Sequence, residues 1–283
     1  MKNENTIFCQ SCPRHCRIDR NSQKGFCNET NKIRTAKIID NFKWEEPCLT
    51  DEKGVCAIFF SGCNLKCSYC QNFEISCGQK GKEYTENEFI ELLKEKEKLN
   101  SYFDFVTPTH FSLSLYNIFK KYTPKIPIIW NSSGYEDVEM LKKLDKYISI
   151  YLLDFKYTID SLGKKYSNVS NYFEIAKKVL AFCSLKKDKF DGEYMKKGII
   201  IRHLVLPGEI ENSLETIKFL GQNYKNRIVS IMSQFTPTKL SPIKRKLKPL
   251  EYKIIMKKVE EENLKGYFQD FESANSDFIP DFN

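Results

Sequence analysis

The sequence predicts an α/β protein built on a parallel sheet. Three observations carry that expectation. Six short apolar segments recur along the chain, and each is followed by a stretch of helical, amphipathic period. The unusual polar residues gather just after the apolar segments, where parallel α/β folds place their ligands. At 283 residues, 41% hydrophobic and 13% aromatic, the chain can bury a substantial core and is too apolar to be disordered.

The first fifty residues stand apart: rich in Cys, Arg and Asn, with little periodicity, and ending in KWEEPCLT (43–50). The pattern starts with VCAIFFSG (55–62), a strand that runs into a cysteine loop. TENEFIELLKEKEKL (85–99) follows as a helix, with Thr85 as N-cap and Glu88 completing a capping box. Its apolar stripe is read as Phe89, Leu92, Leu93 and Leu99. Strand FDFVTP (103–108) precedes helix SLSLYNIFKKY (112–122), and IPIIWNSS (126–133) precedes YEDVEMLKKL (135–144). YISIYLLDFKY (147–157) leads to helix NYFEIAKKVLAFCSL (171–185), and GIIIRHLVLPG (198–208) to helix NSLETIKFLGQNY (212–224). RIVSIMSQF (227–235) is the sixth strand, and the last helix spans about residues 250–264. Right-handed crossovers make such a chain a doubly wound sheet or a barrel, and periodicity alone does not choose.

No run of about 18 apolar residues occurs, so no membrane span is expected. The N-terminus MKNENTIFCQSC has neither the apolar stretch nor the cleavage site of a signal peptide, and a cytoplasmic protein is expected. In a reducing compartment, closely spaced thiols point to metal or redox chemistry rather than disulfides. Seven of the eleven cysteines lie in two groups; Cys48, Cys56, Cys77 and Cys183 stand apart and read as small buried residues. The net charge of +8, from 45 basic and 37 acidic residues, is spread over helical segments, with one dense run at IKRKLK (243–248). Solvated helix faces account for it, and a nucleic-acid surface is not indicated.

Cys63, Cys67 and Cys70 form a C-x3-C-x2-C group straight after the first strand. Three thiolates on one loop suit zinc or an iron–sulfur cluster. Structural zinc wants four closed ligands, and only Cys77 offers a fourth at short spacing. A 4Fe–4S cube held by three cysteines leaves one iron open, and an open metal position is where chemistry takes place.

With Tyr69 just before the last cysteine, this loop resembles the signature of radical S-adenosylmethionine (SAM) enzymes. The stretches EEPC, FFSGCNLKCSYCQNFEIS, VTPTHF, NSSGYE, YLLDFKY, IIRHLVLPG and IMSQFTP, spread over residues 45–237, resemble the subfamily of the pyruvate formate-lyase activating enzyme, and within it a PflX-like branch. The resemblance implies a partial (β/α)6 TIM-like barrel over residues 51–245, a Cys-rich extension over 1–50, and a C-terminal helix and tail over 246–283 packing on the barrel. It implies a 4Fe–4S cluster on Cys63, Cys67 and Cys70 whose open iron holds S-adenosylmethionine. One-electron reduction would then give methionine and a 5′-deoxyadenosyl radical that abstracts a substrate hydrogen.

Other cofactor contacts carry over by position. Thr107, Pro108, Thr109 and His110 stand where many members have Gly-Gly-Glu against the methionine amino group. Asn131 and Ser132 match an Asp-Thr pair, and Asp154 and Lys156 an Asp-x-Lys, in a region that binds a cation and the S-adenosylmethionine carboxylate. His203, near the end of the fifth strand, is a further candidate. Each has a structural alternative: Asp154 and Lys156 as an ion pair, and His110 and His203 as satisfied core histidines.

Cys9, Cys12, Cys16 and Cys27 form a second group, C-x2-C-x3-C-x10-C, with the four thiols a closed site needs. A zinc knuckle, an auxiliary iron–sulfur cluster and free thiols all fit. The leading function is hydrogen abstraction from a protein or peptide substrate, with the glycine of a glycyl-radical enzyme as the named case. The alternative is modification of a different peptide or an RNA; a non-catalytic zinc-binding module is the remote one. A flavodoxin or ferredoxin, docked on the basic surface, is the expected electron donor.

Overall fold

The computed structural model describes residues 9–273 and residue 282. The first eight residues and most of the expected C-terminal tail (274–281 and 283) lie outside the described residues.

In chain order the elements are β1 (Ile33–Phe42), β2 (Val55–Phe60), α1 (Phe73–Ser76), β3 (Lys82–Tyr84), α2 (Glu86–Lys96), β4 (Tyr102–Val106), α3 (Ser112–Lys121), β5 (Ile128–Ser132) and α4 (Val138–Leu144). Then follow β6 (Ile150–Asp154), α5 (Asp160–Ser167), α6 (Tyr172–Cys183), β7 (Lys189–Asp191), β8 (Tyr194–Leu204), α7 (Ile210–Tyr224), β9 (Ile228–Met232), α8 (Pro249–Glu261) and β10 (Lys265–Phe268). The sheet runs β10-β9-β8-β6-β5-β4-β2-β1-β3, with β7 paired to β8. Pairings from β2 through β10 along this path are parallel, and β1 is antiparallel to β2 and β3. The six anticipated strands, β2, β4, β5, β6, β8 and β9, thus sit side by side in chain order, as an open (β/α)6 barrel requires.

Alternation along the strands sorts the core into two layers. Cys56, Ile58 and Phe60 of β2, Phe103 and Phe105 of β4, Trp130 of β5, Leu153 of β6, Ile201 of β8 and Ile231 of β9 pack outward with Leu93, Leu115, Leu141, Val179, Leu220 and Ile255 of the helices. Val55, Ala57, Phe59, Tyr102, Ile129, Ile150, Leu152 and Ile200 face inward as a second cluster. Cys48 and Leu49 join that inner cluster, so the segment after β1 enters the barrel interior.

Three sequence expectations are corrected. The region before residue 51 is not uniformly aperiodic: Ile33–Phe42 is a ten-residue strand. Most of β1 lacks a second neighbour, because β3 pairs only with Ile33–Thr35, so its apolar residues are diluted by solvated ones. An unanticipated helix, α5, follows β6. Leu99 does not belong to the α2 stripe: the helix ends at Lys96 and Leu99 is 56% exposed, while Ile90 takes the buried place. The Thr85–Glu88 capping box is present, with the Thr85 Oγ1 accepting from the Glu88 N–H at 3.3 Å and the Glu88 carboxylate accepting from the Thr85 N–H at 2.8 Å. Among the described residues, no helix is long and apolar enough to cross a membrane.

The corrected stripe has a direct test. Leu93→Ala is expected to lower unfolding free energy by about 2–5 kcal/mol through cavity formation. Leu99→Ala is expected to change it by less than about 0.5 kcal/mol. Chemical denaturation of the two variants gives both values, and equal losses would restore Leu99 to the core.

Candidate functional site

The loop after β2 carries Cys63, Cys67 and Cys70, and all three line a cavity of about 400 Å³ inside the barrel. Burial, and then the Cys67 charge, raise the Cys63 thiol; burial with Cys67 and Cys63 pushes Cys70 up to about 12. Mutual repulsion of this kind means the three sulfurs share one small space. Burial and this repulsion oppose the thiolates of Cys63 and Cys70, which a cation beside the sulfurs would favour, the chemistry of a metal-holding loop. Among the described residues, no set of three His, Cys, Asp or Glu side chains is closed around a single-ion position.

The loop is held from several sides. Asn64 donates its amide to the Tyr135 carbonyl at 2.8 Å, and the Ser68 N–H bonds the Tyr166 carbonyl at 2.8 Å. Cys67 Sγ lies 2.9 Å from Ser167 Oγ at the end of α5; that hydroxyl is 2.8 Å from the Tyr157 hydroxyl, which donates to the Tyr69 hydroxyl at 2.8 Å. Tyr69 therefore supports the loop through a buried hydroxyl chain as well as lining the cavity. Tyr157 and Ser167 were not read from the sequence, and α5, which presents Ser167, was the helix missed.

The opposite wall is charged. Asp154, at the end of β6, accepts from Lys156 Nζ at 2.7 Å and from Arg202 Nε at 2.9 Å. Burial would raise its carboxyl, but Lys156 and then Arg202 hold it below the ordinary carboxylate range. Lys156 is likewise kept charged: burial opposes it, and Asp154 and Cys67 outweigh the burial. Arg202 also donates to Glu45 Oε2 at 2.9 Å and to Asn131 Oδ1 at 2.5 Å, and Asn131 donates to Asp104 Oδ2 at 3.2 Å.

Glu45 and Glu46 ride on the segment that enters the barrel, and both line the cavity. Burial, and then the Asp104 charge, push Glu45 up to about 8, while burial pushes Asp104 up to about 6. These two carboxyls adjoin, so at neutral pH the pair keeps one proton between them. Burial also raises Glu46 to about 7, although Arg202 acts against it.

Most residues expected from the sequence meet here. Cys63, Cys67, Cys70, Tyr69, Thr107, Asn131, Ser132, Asp154 and Lys156 all line the cavity. His110 and His203 do not, and strand and loop geometry explains both. His203 neighbours the inward Arg202 on β8 and so points outward, bonding the Phe155 carbonyl at 2.7 Å and Ser213 Oγ at 2.9 Å. His110 is buried behind the cysteine loop with Nε2 2.6 Å from the Ser61 carbonyl, and burial first, with Arg20 second, lowers it to about 3. Both are core histidines. The alternation rule, applied to IIRHL, is the signal that would have selected Arg202.

The four-cysteine segment packs against the same loop. Arg14 Nε donates to the Asn64 carbonyl at 2.8 Å, and its two other nitrogens donate to Asn168 and Ser167 carbonyls at 2.9 and 3.1 Å. Gly62, with φ +83°, passes so close that a Cβ there would stand 2.6 Å from the Cys27 carbonyl oxygen. Cys9, Cys12 and Cys27 are buried, and the Cys16 and Cys27 sulfurs are each 3.5 Å from where a Cβ on Gly25 would be. Burial pushes Cys12 up to about 12, with Cys9, Cys27 and Cys16 adding to the rise. The four thiols are therefore close enough to feel one another.

Comparison with known proteins agrees with this geometry. Residues 57–220 match the profile of the radical SAM superfamily. A protein of Methanocaldococcus jannaschii described only as uncharacterized is 30% identical over 283 residues, covering 96% of this chain and 77% of its own. Among solved structures, a radical SAM methyltransferase from Sphaerobacter thermophilus superposes with a TM-score of 0.52 at 13% identity, over 76% of this chain and 66% of that one. Methylornithine synthase gives 0.49 at 17% identity, over 74% and 63%. The chain thus spans less than two thirds of either solved structure, and the likeness to the methyltransferase shows a shared fold.

The cavity carboxyls predict a pH dependence. Because folding raises Glu45 above its ordinary value, its favourable contribution is complete below about pH 4.5 and lost as pH rises through about 8. The stability of the wild type relative to Glu45→Gln is therefore expected to fall across that window and level off above it. Urea melts at half-unit pH steps measure the difference; a flat or rising one would show that Glu45 is ionised throughout.

Proposed function

Because the chain belongs to the radical SAM superfamily, we propose that it uses a 4Fe–4S cluster on Cys63, Cys67 and Cys70 to turn S-adenosylmethionine into a hydrogen-abstracting reagent. The observation that carries this is the opening of a three-thiol loop into the cavity that also holds Asp154, Lys156 and Asn131. When bound and reduced, the cluster supplies the electron that splits S-adenosylmethionine into methionine and a 5′-deoxyadenosyl radical, which takes a hydrogen atom from the substrate.

The chain's own residues bind, orient and exclude. Lys156 presents a permanent charge suited to the carboxylate of S-adenosylmethionine, and Asp154 fixes the direction of that charge. Asn131 and Ser132 present amide and hydroxyl groups beside it. Thr107, with φ +60°, is held by its N–H bond to the Asn131 carbonyl at 2.8 Å and turns the chain at the end of β4, where backbone groups can meet the ammonium of S-adenosylmethionine. Ser167 Oγ lies 2.9 Å from the Cys67 sulfur and 2.8 Å from the Tyr157 hydroxyl, and a hydroxyl placed against a ligand sulfur is the kind of contact that tunes a cluster's potential.

The substrate we assign is a peptide or protein segment, and the specific case is the glycine of a glycyl-radical enzyme, in keeping with the resemblance to the activating-enzyme subfamily. Anaerobically reconstituted protein with dithionite and S-adenosylmethionine is expected to release 5′-deoxyadenosine, and Cys67→Ala to reduce it more than about 100-fold. No 5′-deoxyadenosine from protein with full iron loading, and no binding of S-adenosylmethionine, would overturn the assignment. Absence of a glycyl electron-paramagnetic-resonance doublet with glycyl-radical partners would remove the specific case alone.

The grouped thiols of Cys9, Cys12, Cys16 and Cys27, all but Cys16 buried, support a second, thiolate-held metal centre, zinc or an iron–sulfur cluster. Metal analysis separates the two: about four iron with one zinc per chain marks a zinc site, and about eight iron a second cluster. About four iron without zinc would leave the four thiols metal-free.

A further inference from the structure

Resting on the reaction proposed above, we propose that Glu46, in the lining of the cavity, binds a cationic nitrogen group of the substrate, an ammonium or guanidinium. Glu46 lines the cavity, is only 8% exposed, and has one carboxylate oxygen, Oε2, that is buried and without a hydrogen-bond partner among the described residues. A buried carboxylate oxygen without a donor is costly, and the cost is removed when a ligand supplies the donor.

The charges around it say which kind of donor. Four carboxyls gather at this end of the cavity: Glu45 and Glu46 from the segment after β1 and Asp154 from β6 line it, and Asp104 from β4 adjoins Glu45. Two largely buried cations face them, Lys156 after β6 and Arg202 of β8; the third lining cation, Lys43, is exposed to solvent, and the phenol of Tyr267 on β10 lies alongside. Both cations are committed elsewhere. Lys156 Nζ bonds Asp154, and Arg202 spends its three nitrogens on Asp154, Glu45 and Asn131. Asp104 Oδ1 also lacks a donor among the described residues, but the proton shared with Glu45 can satisfy it. With that proton counted, three largely buried negative charges meet two largely buried positive ones, and Glu46 is the one whose oxygen is left without a donor among the described residues. A neutral donor would satisfy the oxygen but leave the charge; a cationic nitrogen satisfies both.

The ammonium of S-adenosylmethionine is the competing cation, and variants separate the two. The probes are n-pentylamine and n-pentylguanidine, with 1-pentanol and pentanoate as neutral and anionic counterparts, titrated calorimetrically into anaerobically reconstituted holoprotein. Both cations are expected to bind the wild type in preference to pentanol and pentanoate. Glu46→Gln, which keeps shape and removes charge, is expected to weaken them at least tenfold while S-adenosylmethionine affinity stays within twofold. Amine affinity is also expected to rise between pH 6 and pH 8 as Glu46 loses its proton.

Pentanol binding as well as pentylamine in the wild type overturns the proposal without needing any variant. Equal amine binding by Glu46→Gln overturns it as well, and so does a tenfold loss of S-adenosylmethionine affinity in that variant, which would give Glu46 to the cofactor. Selective amine binding without 5′-deoxyadenosine formation would leave the cation site standing and remove the proposed reaction. Formation of 5′-deoxyadenosine with indifference to charge would do the reverse.

Discussion

The guanidinium of Arg202 is the interaction on which the barrel interior depends. One buried group joins the ends of β5, β6 and β8 to the segment after β1, through Asn131, Asp154 and Glu45. Burial works against its charge, and the surrounding carboxyls, Asp154 foremost, more than restore it. Such a centre is stable only when complete, since a buried charge left without its partner costs about 3–5 kcal/mol. The consequence is geometric. With Arg202 in place, Asn131 and Asp154 have little freedom, and the segment carrying Glu45 and Glu46 is tied into the lumen rather than lying along the outside.

The cysteine loop gains its rigidity from a different source. Its flanks are pinned by backbone-directed bonds that reach far in sequence: Arg14 to the Asn64, Ser167 and Asn168 carbonyls, His110 to the Ser61 carbonyl, and Asn64 to the Tyr135 carbonyl. Arg20 extends the bracing by donating to the carbonyls of His110 and Thr30. The N-terminal thiol segment is therefore a structural neighbour of the three-thiol loop, with Gly62 allowing the two backbones to approach. A metal centre in the first segment would stiffen the support of the second, which links the two cysteine groups mechanically even though no cysteine is shared.

Much of this was legible in the sequence because its signals are local. The cysteine spacing, the Thr85 capping box and the six apolar runs each occupy a few consecutive residues, and each reappears in the structure. What escaped depends on partners distant in the chain. Glu45 looks like an ordinary polar residue until Arg202, 157 positions away, is brought beside it. Ser167 is one small hydroxyl among many until α5 places it 2.9 Å from Cys67 Sγ. The choice of His203 over Arg202 is a different kind of miss. The information was present in the two-residue period of β8, and the chemical prominence of histidine was given more weight than the face it occupies.

The same two-residue period explains how one cavity holds two chemistries that would otherwise interfere. Thiolates and carboxylates are both negative, and packed together they would raise one another's proton affinity until neither was charged. The structure separates them with Asp154, which holds Lys156 on the side of the thiols and Arg202 on the side of Glu45. Lys156 acts on the loop, easing the rise of the Cys63 and Cys70 thiols, while Arg202 restrains that of Glu45 and Glu46. Because each cation is bonded to the same carboxylate, neither is free to swing to the other side. Asp154 is thereby more than half of an ion pair: its two oxygens divide the cavity into a thiol end and a carboxyl end, each with its own compensating charge.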